Sequence, residues 1–488
     1  MTVHRLQMLS ATGAREDVEV DANGGPPYEI VLRSSAVGAI RGHGDDLIEC
    51  LRQVRERIEP SGWRLLCNGS RRDAYASGMQ RDMLGGAALY LLRPGTEAST
   101  NDVVPTFGPA PESSVGTLQE QEAGYTRWLA SLQQKGSAGR RFVPLPTRSP
   151  TFSRPRARGC LIGLAVGDAL GTTLEFTRPR APAFPNLATG PHRSVTGGGP
   201  FKLQAGQVTD DTEMAVCLAD SISKMRGFDV EDARATYQRW TASAFDIGNQ
   251  TRAVLSSDAA TATDVLAVSR GYWVANSRAP AGNGSLMRTA PIGVAFHADS
   301  SRLREASLLD SAVTHFDPRC RFACAAFNES IALAVSSSAN VTPAEMLNQA
   351  RGSLSAALVV VLRELDDPED VDAARKACDA LSGDLDAAAE DDPHLYGDIH
   401  LQDTAGFVRV AFRLAYWELM HAPSLEAGLI DVVNRGGDAD TNGAITGALM
   451  GACFGEGAIP SGWIDTVLQS SIRMQHHPTH LAKLVDAM

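Results

Sequence analysis

Residues 135–158, KGSAGRRFVPLPTRSPTFSRPRAR, hold seven Lys and Arg, no acid and four prolines, with neither a helical nor a strand period. Proline lacks the N–H that helices and sheets need, and like charges keep such a run extended, so the segment reads as a solvated linker. It divides the 488 residues into parts of 134 and 330, each long enough for its own core. The charge divides with it: formally −4 for residues 1–134, +7 for the linker and −15 for residues 159–488, within a total of −12. A basic tether can touch nucleic acid, but no nucleic-acid-binding motif accompanies this one and both neighbours are acidic, so nucleic acid is not an expected partner.

Hydrophobic residues make up 43% of the chain, enough for a globular fold. No window holds the long uncharged apolar run of a membrane span, and the N-terminus MTVHRLQMLSATGARED has no apolar core of a signal peptide. The expectation is a cytoplasmic protein without membrane contact, with export by a specialised secretion system left open. The eight cysteines show no CxxC pairing and sit in apolar segments, as buried thiols in a reducing compartment would. Cys320 and Cys324 are one helical turn apart with no further Cys or His at ligand spacing, which points to core packing.

In residues 1–134, YEIVLR (28–33), GWRLLCNG and AALYLLR read as strands. From Asp45 to Glu59, Leu47, Ile48, Leu51, Val54 and Ile58 share one helical face. Together they predict a small α/β module. Asn68 to Asp73 reads as a solvated turn, residues 97–117 as a flexible Pro/Ser/Thr/Gly stretch, and QEAGYTRWLASLQQ as a short helix. No catalytic set is visible in this part.

From Gly159 the text changes. CLIGLAVGDALG (160–171) is a small-residue apolar helix pattern whose glycines imply close helix packing, later segments are also rich in Ala and Gly, and convincing strands are absent. Residues 159–488 are expected to be all-α. Two polar clusters stand at predicted helix starts, Thr209-Asp210-Asp211-Thr212 and Asp438-Ala439-Asp440-Thr441. Thr and Asp are favoured helix caps, and one cap needs no further role. If the two helix ends meet, however, four carboxylates converge, and their repulsion calls for a cation. Oxygen donors without Cys or His select Mg²⁺, Mn²⁺ or Ca²⁺. Spacing alone leaves open whether the clusters meet. The glycine-rich loops Thr196–Pro200 and Gly282–Arg288 could let backbone N–H groups approach a phosphate, or could simply connect helices.

In order, the segments GCLIGLAVGDALGTTLEF, GGGPFKLQAGQVTDDTEMA, GNGSLMRTAPIG, SAVTHFDP and NRGGDADTNGAITGALMGACFG resemble the ADP-ribosylglycohydrolase family, the dinitrogenase-reductase-activating and ARH-type hydrolases. The resemblance runs from about Gly159 to the C-terminus. It implies an all-α fold with two Mg²⁺ or Mn²⁺ ions that removes ADP-ribose from modified side chains, most of all from arginine, with water held by the ions attacking the anomeric carbon of the distal ribose. It implies Thr209, Asp210, Asp211, Asp438, Asp440 and Thr441 as metal ligands. Glu175 matches a mobile acid beside the metals and joins Asp210 and Asp211 as catalytic. Gly198, Gly199, Asn283, Gly284, Ser285, Met287, Arg288 and His315 match segments lining the ADP-ribose cleft, and Asp317 matches a motif near it. Val208 stands where the family often has an aromatic residue, and residues 364–398 form an acidic stretch of uncertain correspondence. The expected partner is an ADP-ribosylated protein. The alternative is a binding or immunity protein whose N-terminal module docks on an ADP-ribosyltransferase or on its target.

Overall fold

A computed structural model describes residues 2–76, 81, 85–93, 102–133, 141–147, 151–178, 191–257, 265–470 and 476–488. The chain forms two compact units, Met1–Gly139 and Arg140–Met488.

In the first unit, strands β1 (Thr2–Ser10), β2 (Arg15–Asn23), β3 (Tyr28–Ser34) and β4 (Gly38–Gly44) form an antiparallel meander, followed by helix α1 (Leu47–Ile58) and β5 (Trp63–Leu65). The five-stranded sheet has the order β4-β3-β2-β1-β5. Val18, Val20 and Ala22 alternate inward along β2 and pack with Ile30 and Leu32 of β3 against Leu51, Val54 and Ile58 of α1. Asp46 starts α1 by accepting the Glu49 N–H at 2.8 Å. A second sheet has the order β6 (Ala74–Tyr75), β7 (Ala88–Leu91), β8 (Val103–Pro105), and α2 runs over Leu118–Gln133. The unit thus contains the expected strands and helices, with more strand than expected. Two expectations change. Asn68, Gly69 and Ser70 are buried rather than solvated, because the Asn68 amide donates to the Pro105 carbonyl at 3.0 Å. Residues 102–117 hold β8 and a short helical turn rather than flexible chain, and residues 97–101 lie outside the described residues.

Among the described residues, the second unit is helical apart from an antiparallel pair formed by β9 (Phe142–Pro144) and β10 (Gly227–Asp229). Strand β9 lies in the basic segment that reads as an extended linker, and helix α3 (Arg154–Gly171) begins there too. Pro155 sits in the first turn, where a missing N–H costs nothing. Arg158 pairs with Glu456 at 2.7 Å, and Arg156 donates to the carbonyls of Ala334 and Ala339. These partners are remote in sequence, so the segment looks unpaired when read alone. The acidic stretch 364–398 is likewise mostly one helix, described below as α12, whose buried Asp370 and Asp384 grip Arg270, Arg278, Arg409 and Arg413.

After α3 come α4 (Asp210–Met225), α5 (Val230–Trp240), α6 (Asn249–Leu255), α7 (Val265–Ala275), α8 (Ala290–Ala295), α9 (Ser300–Thr314), α10 (Pro318–Ser336), α11 (Pro343–Leu362), α12 (Pro368–Ala388), α13 (Val408–His421), α14 (Leu425–Asn434), α15 (Ala439–Phe454), α16 (Ser461–Leu468) and α17 (Thr479–Ala487). Helices α3 and α15 lie at the centre, and every residue from Ala439 to Cys453 is buried. They run antiparallel with their backbones in contact: a Cβ on Gly163 would lie 2.3 Å from the Gly447 carbonyl oxygen, and one on Gly167 would lie 2.0 Å from that of Gly443. Only glycine permits this approach. It sets the C-terminal end of α3 beside the N-terminal end of α15, where the second carboxylate cluster begins. Among the described residues, no helix is long and apolar enough to cross a membrane, and all eight cysteines are buried and free.

Candidate active site

The residues that precede α4 and α15 look like ordinary caps but do not act as caps. Asp229, Asp299 and Thr342 each accept an N–H from the first turn of their own helix. Thr209 and Asp438, in the equivalent places before α4 and α15, make no such bond. The start of α4 is instead capped by another helix. Asp168 of α3, fully buried, accepts the N–H groups of Thr209 and Thr212 at 3.1 Å and both of their hydroxyls. This releases the first cluster's own oxygens for other work.

The two clusters meet. The Thr209 hydroxyl lies 3.1 Å from Asp211 Oδ2 and 3.4 Å from Asp440 Oδ2, and the Thr441 hydroxyl lies 3.4 Å from Asp211 Oδ2. Oxygens of Asp168, Asp211 and Asp440 fall within 4.8 Å of one another, as do those of Glu175, Asp438 and Asp440. Asn283, in the glycine-rich loop before α8, donates its amide to Asp438 Oδ2 at 2.6 Å.

Glu175 stands on the turn after α3. Its neighbour Phe176 donates its N–H to the Gly437 carbonyl at 2.7 Å, and Gly437 donates to Thr177 at 3.0 Å, so the turn is tied to the loop carrying Asp438. Behind it, Gly199 packs so tightly that a Cβ would lie 1.9 Å from the Thr172 carbonyl oxygen. Gly199 therefore braces this turn, Gly198 exchanges backbone hydrogen bonds with Leu203 at 2.8 Å, and neither is part of the cavity wall.

A cavity of about 340 Å³ opens over the clusters, lined by Glu175, Asp210, Asp246, Asp438, Asp440 and Thr441 on its acidic side. Gly282, Asn283, Gly284, Met287 and His315 also line it, as do Gly248 to Thr251 at the start of α6. Thr209, Asp211, Ser285 and Arg288 lie outside the wall. Ser285 meets Ser311 at 2.9 Å. Arg288 is fully buried: it pairs with Asp310 at 3.3 Å, donates to Thr314 at 2.9 Å and stacks on the Tyr237 ring, so its guanidinium is committed to the core. His315 is braced by Thr314 at 2.8 Å. Asp317 caps α10 and accepts the Trp273 indole N–H at 2.7 Å, a structural assignment.

Asp168 and Asp246 carry site roles that sequence reasoning did not assign. Asp168 lies inside the GLAVGDALG pattern, where an acid in a wholly apolar helix was the available signal. Asp246 had none beyond preceding a polar helix start.

The electrostatics are those of crowded acids. Burial, then neighbouring carboxylates, pushes Asp210, Asp211 and Asp440 well above the ordinary carboxylate range. Burial and then Asp246 and Asp438 push Glu175 up to about 8, and burial and then Asp438 push Asp246 to about 6. No Lys or Arg is among the described residues of the wall. Glu175 Oε2 and Asp211 Oδ1 are buried without a hydrogen-bond partner. Orphaned oxygens in an all-oxygen, acid-rich set fit hard divalent cations, which would supply the missing charge.

The ADP-ribosylglycohydrolase family model matches residues 149–488. The chain belongs to this hydrolase family. Its relatives include the ADP-ribosyl-[dinitrogen reductase] glycohydrolase of Rhodospirillum rubrum, 30% identical over 66% of this chain and 94% of that protein. The ADP-ribosylarginine hydrolase Tri1 of Pseudomonas putida is 29% identical over 70% of this chain and 80% of its own length. A solved chain from an ADP-ribosylglycohydrolase-related protein complex is 28% identical over 68% of this chain and 98% of its own, with a TM-score of 0.48. As an ADP-ribosylglycohydrolase, the chain has its family match entirely in the second unit, where the clusters meet.

Proposed function

We propose that the chain hydrolyses the N-glycosidic bond between ADP-ribose and arginine in modified proteins. The observation that carries this reading is the convergence of the two carboxylate clusters beneath a cavity whose described wall residues include acids but no Lys or Arg. The leaving group from an arginine adduct is a guanidinium, and an acidic wall favours it over a neutral serine hydroxyl. A relative named for ADP-ribosylarginine hydrolysis supports the choice.

Thr209, Asp210, Asp211, Asp438, Asp440 and Thr441 would hold two Mg²⁺ or Mn²⁺ ions, which when bound supply Lewis acidity and lower the pKa of water. The chain's own residues do the rest. Asn283 orients Asp438 through its amide, and Asp168 fixes the start of α4 so that Asp210 and Asp211 keep their places. Glu175, whose Oε2 has no other partner, holds or yields a proton beside the leaving side chain. Gly282, Asn283 and Gly284 offer backbone surface to the diphosphate.

The test uses proteins ADP-ribosylated on arginine or on serine, incubated with chelator-treated enzyme with and without added Mg²⁺ or Mn²⁺. Release of ADP-ribose from arginine only when metal is restored is the expected result. No release from arginine under any condition, or equal release without metal, would overturn the reading.

A further inference from the structure

Among the described residues, the second unit exposes few large apolar side chains, and three of them are phenylalanines in or beside segments that form the cavity. Phe176 is 66% exposed and also lines the cavity, so it stands at the opening. Phe245, 41% exposed, is the residue before the wall acid Asp246. Phe201, 37% exposed, meets Phe245 edge to face with ring centroids 5.6 Å apart. Phe201 lies in the loop closed by the mutual Gly198–Leu203 backbone bonds at 2.8 Å, the same loop that braces the turn of Glu175. Exposed aromatic clusters are uncommon on a surface with nothing to bind.

We propose that Phe201 and Phe245, with Phe176 at the opening, form the rim on which the polypeptide carrying the modification docks. This rests on the hydrolase reading above. Two constraints select the occupant. The scissile bond must reach the carboxylates, and the leaving side chain is covalently joined to its own backbone, so the target backbone must lie within one side-chain length of that bond, at the cavity mouth. Charge then selects the side: the diphosphate is repelled by ionised wall carboxylates such as Asp246, whereas a cationic leaving group is drawn to them. Phe245 precedes Asp246 in the chain and Phe176 follows Glu175, so the aromatic rim belongs to the acidic side of the cavity, where the target, not the adenosine, emerges. Aromatic side chains provide apolar area with little rotamer freedom to lose and suit the stems of residues flanking a modified arginine.

The test compares wild type with the Phe201→Ala/Phe245→Ala double variant on an arginine-ADP-ribosylated protein and on free ADP-ribosyl-arginine, with metal present. Both residues are exposed, and an unchanged melting curve verifies folding. KM for the modified protein is expected to rise about tenfold with kcat unchanged. Both constants for free ADP-ribosyl-arginine should stay at wild-type values, and Phe201→Tyr/Phe245→Tyr should restore the protein KM. An equal loss on both substrates would assign the rings to adenine stacking or to the shape of the loop and overturn the proposal. So would an unchanged KM for the protein. If wild type cleaves neither substrate, the hydrolase reading fails instead, which separates the two.

Discussion

The Thr441 hydroxyl lies 3.4 Å from Asp211 Oδ2, joining the start of α15 to the start of α4 across 230 residues of sequence. Through this contact two helix ends become one site, and each helix end gives up its own cap to make it.

The crowding of acids at that contact makes bound cation a stabiliser. Adding Mg²⁺ or Mn²⁺ at a hundred times its dissociation constant is expected to stabilise the protein by about 2.7 kcal/mol. Asp211→Asn should lose most of this shift, yet in chelator it should be at least as stable as wild type, because one of the repelling charges is gone. Thermal melts of both proteins with and without metal check this. A metal-independent melting temperature for wild type would contradict it.

Asp168 should matter as much for stability as for activity. Asp168→Ala leaves the buried N–H groups of Thr209 and Thr212 and their hydroxyls without their acceptor. The expected cost is about 3 kcal/mol or more, measured by urea denaturation, together with a loss of hydrolysis that added metal does not restore.

The contact between α3 and α15 tolerates no methyl group. Gly447→Ala would place its Cβ 2.1 Å from the Gly163 carbonyl oxygen, so the helices must separate. A destabilisation of about 3 kcal/mol is expected, along with weaker metal binding as the cluster on α15 shifts. Gly383→Ala on α12 meets nothing within 4 Å and should stabilise the protein by about 0.5–1 kcal/mol. Denaturant midpoints of the two variants should move in opposite directions.

His315 introduces a pH dependence of known sign. Burial, and then the Arg288 charge, pushes its pKa down to about 3. Between the ordinary imidazole value of about 6.5 and that point, the unfolded chain binds a proton that the folded one refuses. Stability therefore falls as pH drops through this window. His315→Gln removes the term, so the wild type should lose stability relative to the variant on acidification from pH about 7 to about 4, as read by denaturation at each pH. A constant difference between the two would show that the imidazole titrates normally in the fold.

Several features were legible in the residues themselves. The strand at Tyr28–Ser34 and the helix at Leu47–Ile58 follow from local periodicity. The hairpin of β1 and β2 was not read, because Glu16, Asp17, Glu19 and Asp21 dilute the inward alternation of Val18 and Val20 with residues that rarely favour strands. Strand β9 is three residues long, and only its pairing with β10 makes it a strand. The five ordered motifs identified the family and the ligand candidates. Their order could not reveal that Arg288, in one of those motifs, would be enclosed by Asp310 and Tyr237, or that Asp168 and Asp246 would join the site.

The sequence by itself determined which residues could serve: the acids and hydroxyls at two helix starts, the glycines that allow close packing, and the acidic balance of the second unit. Tertiary structure decided which of them meet. Glycine backbones of α3 and α15 in contact set the register that brings Asp440 beside Asp211, and Asp168 reaches across to cap a helix that is not its own. Helix propensity and capping act over a few residues, whereas the convergence of charges depends on packing between segments more than two hundred residues apart, where only the folded chain holds the carboxylates against their mutual repulsion.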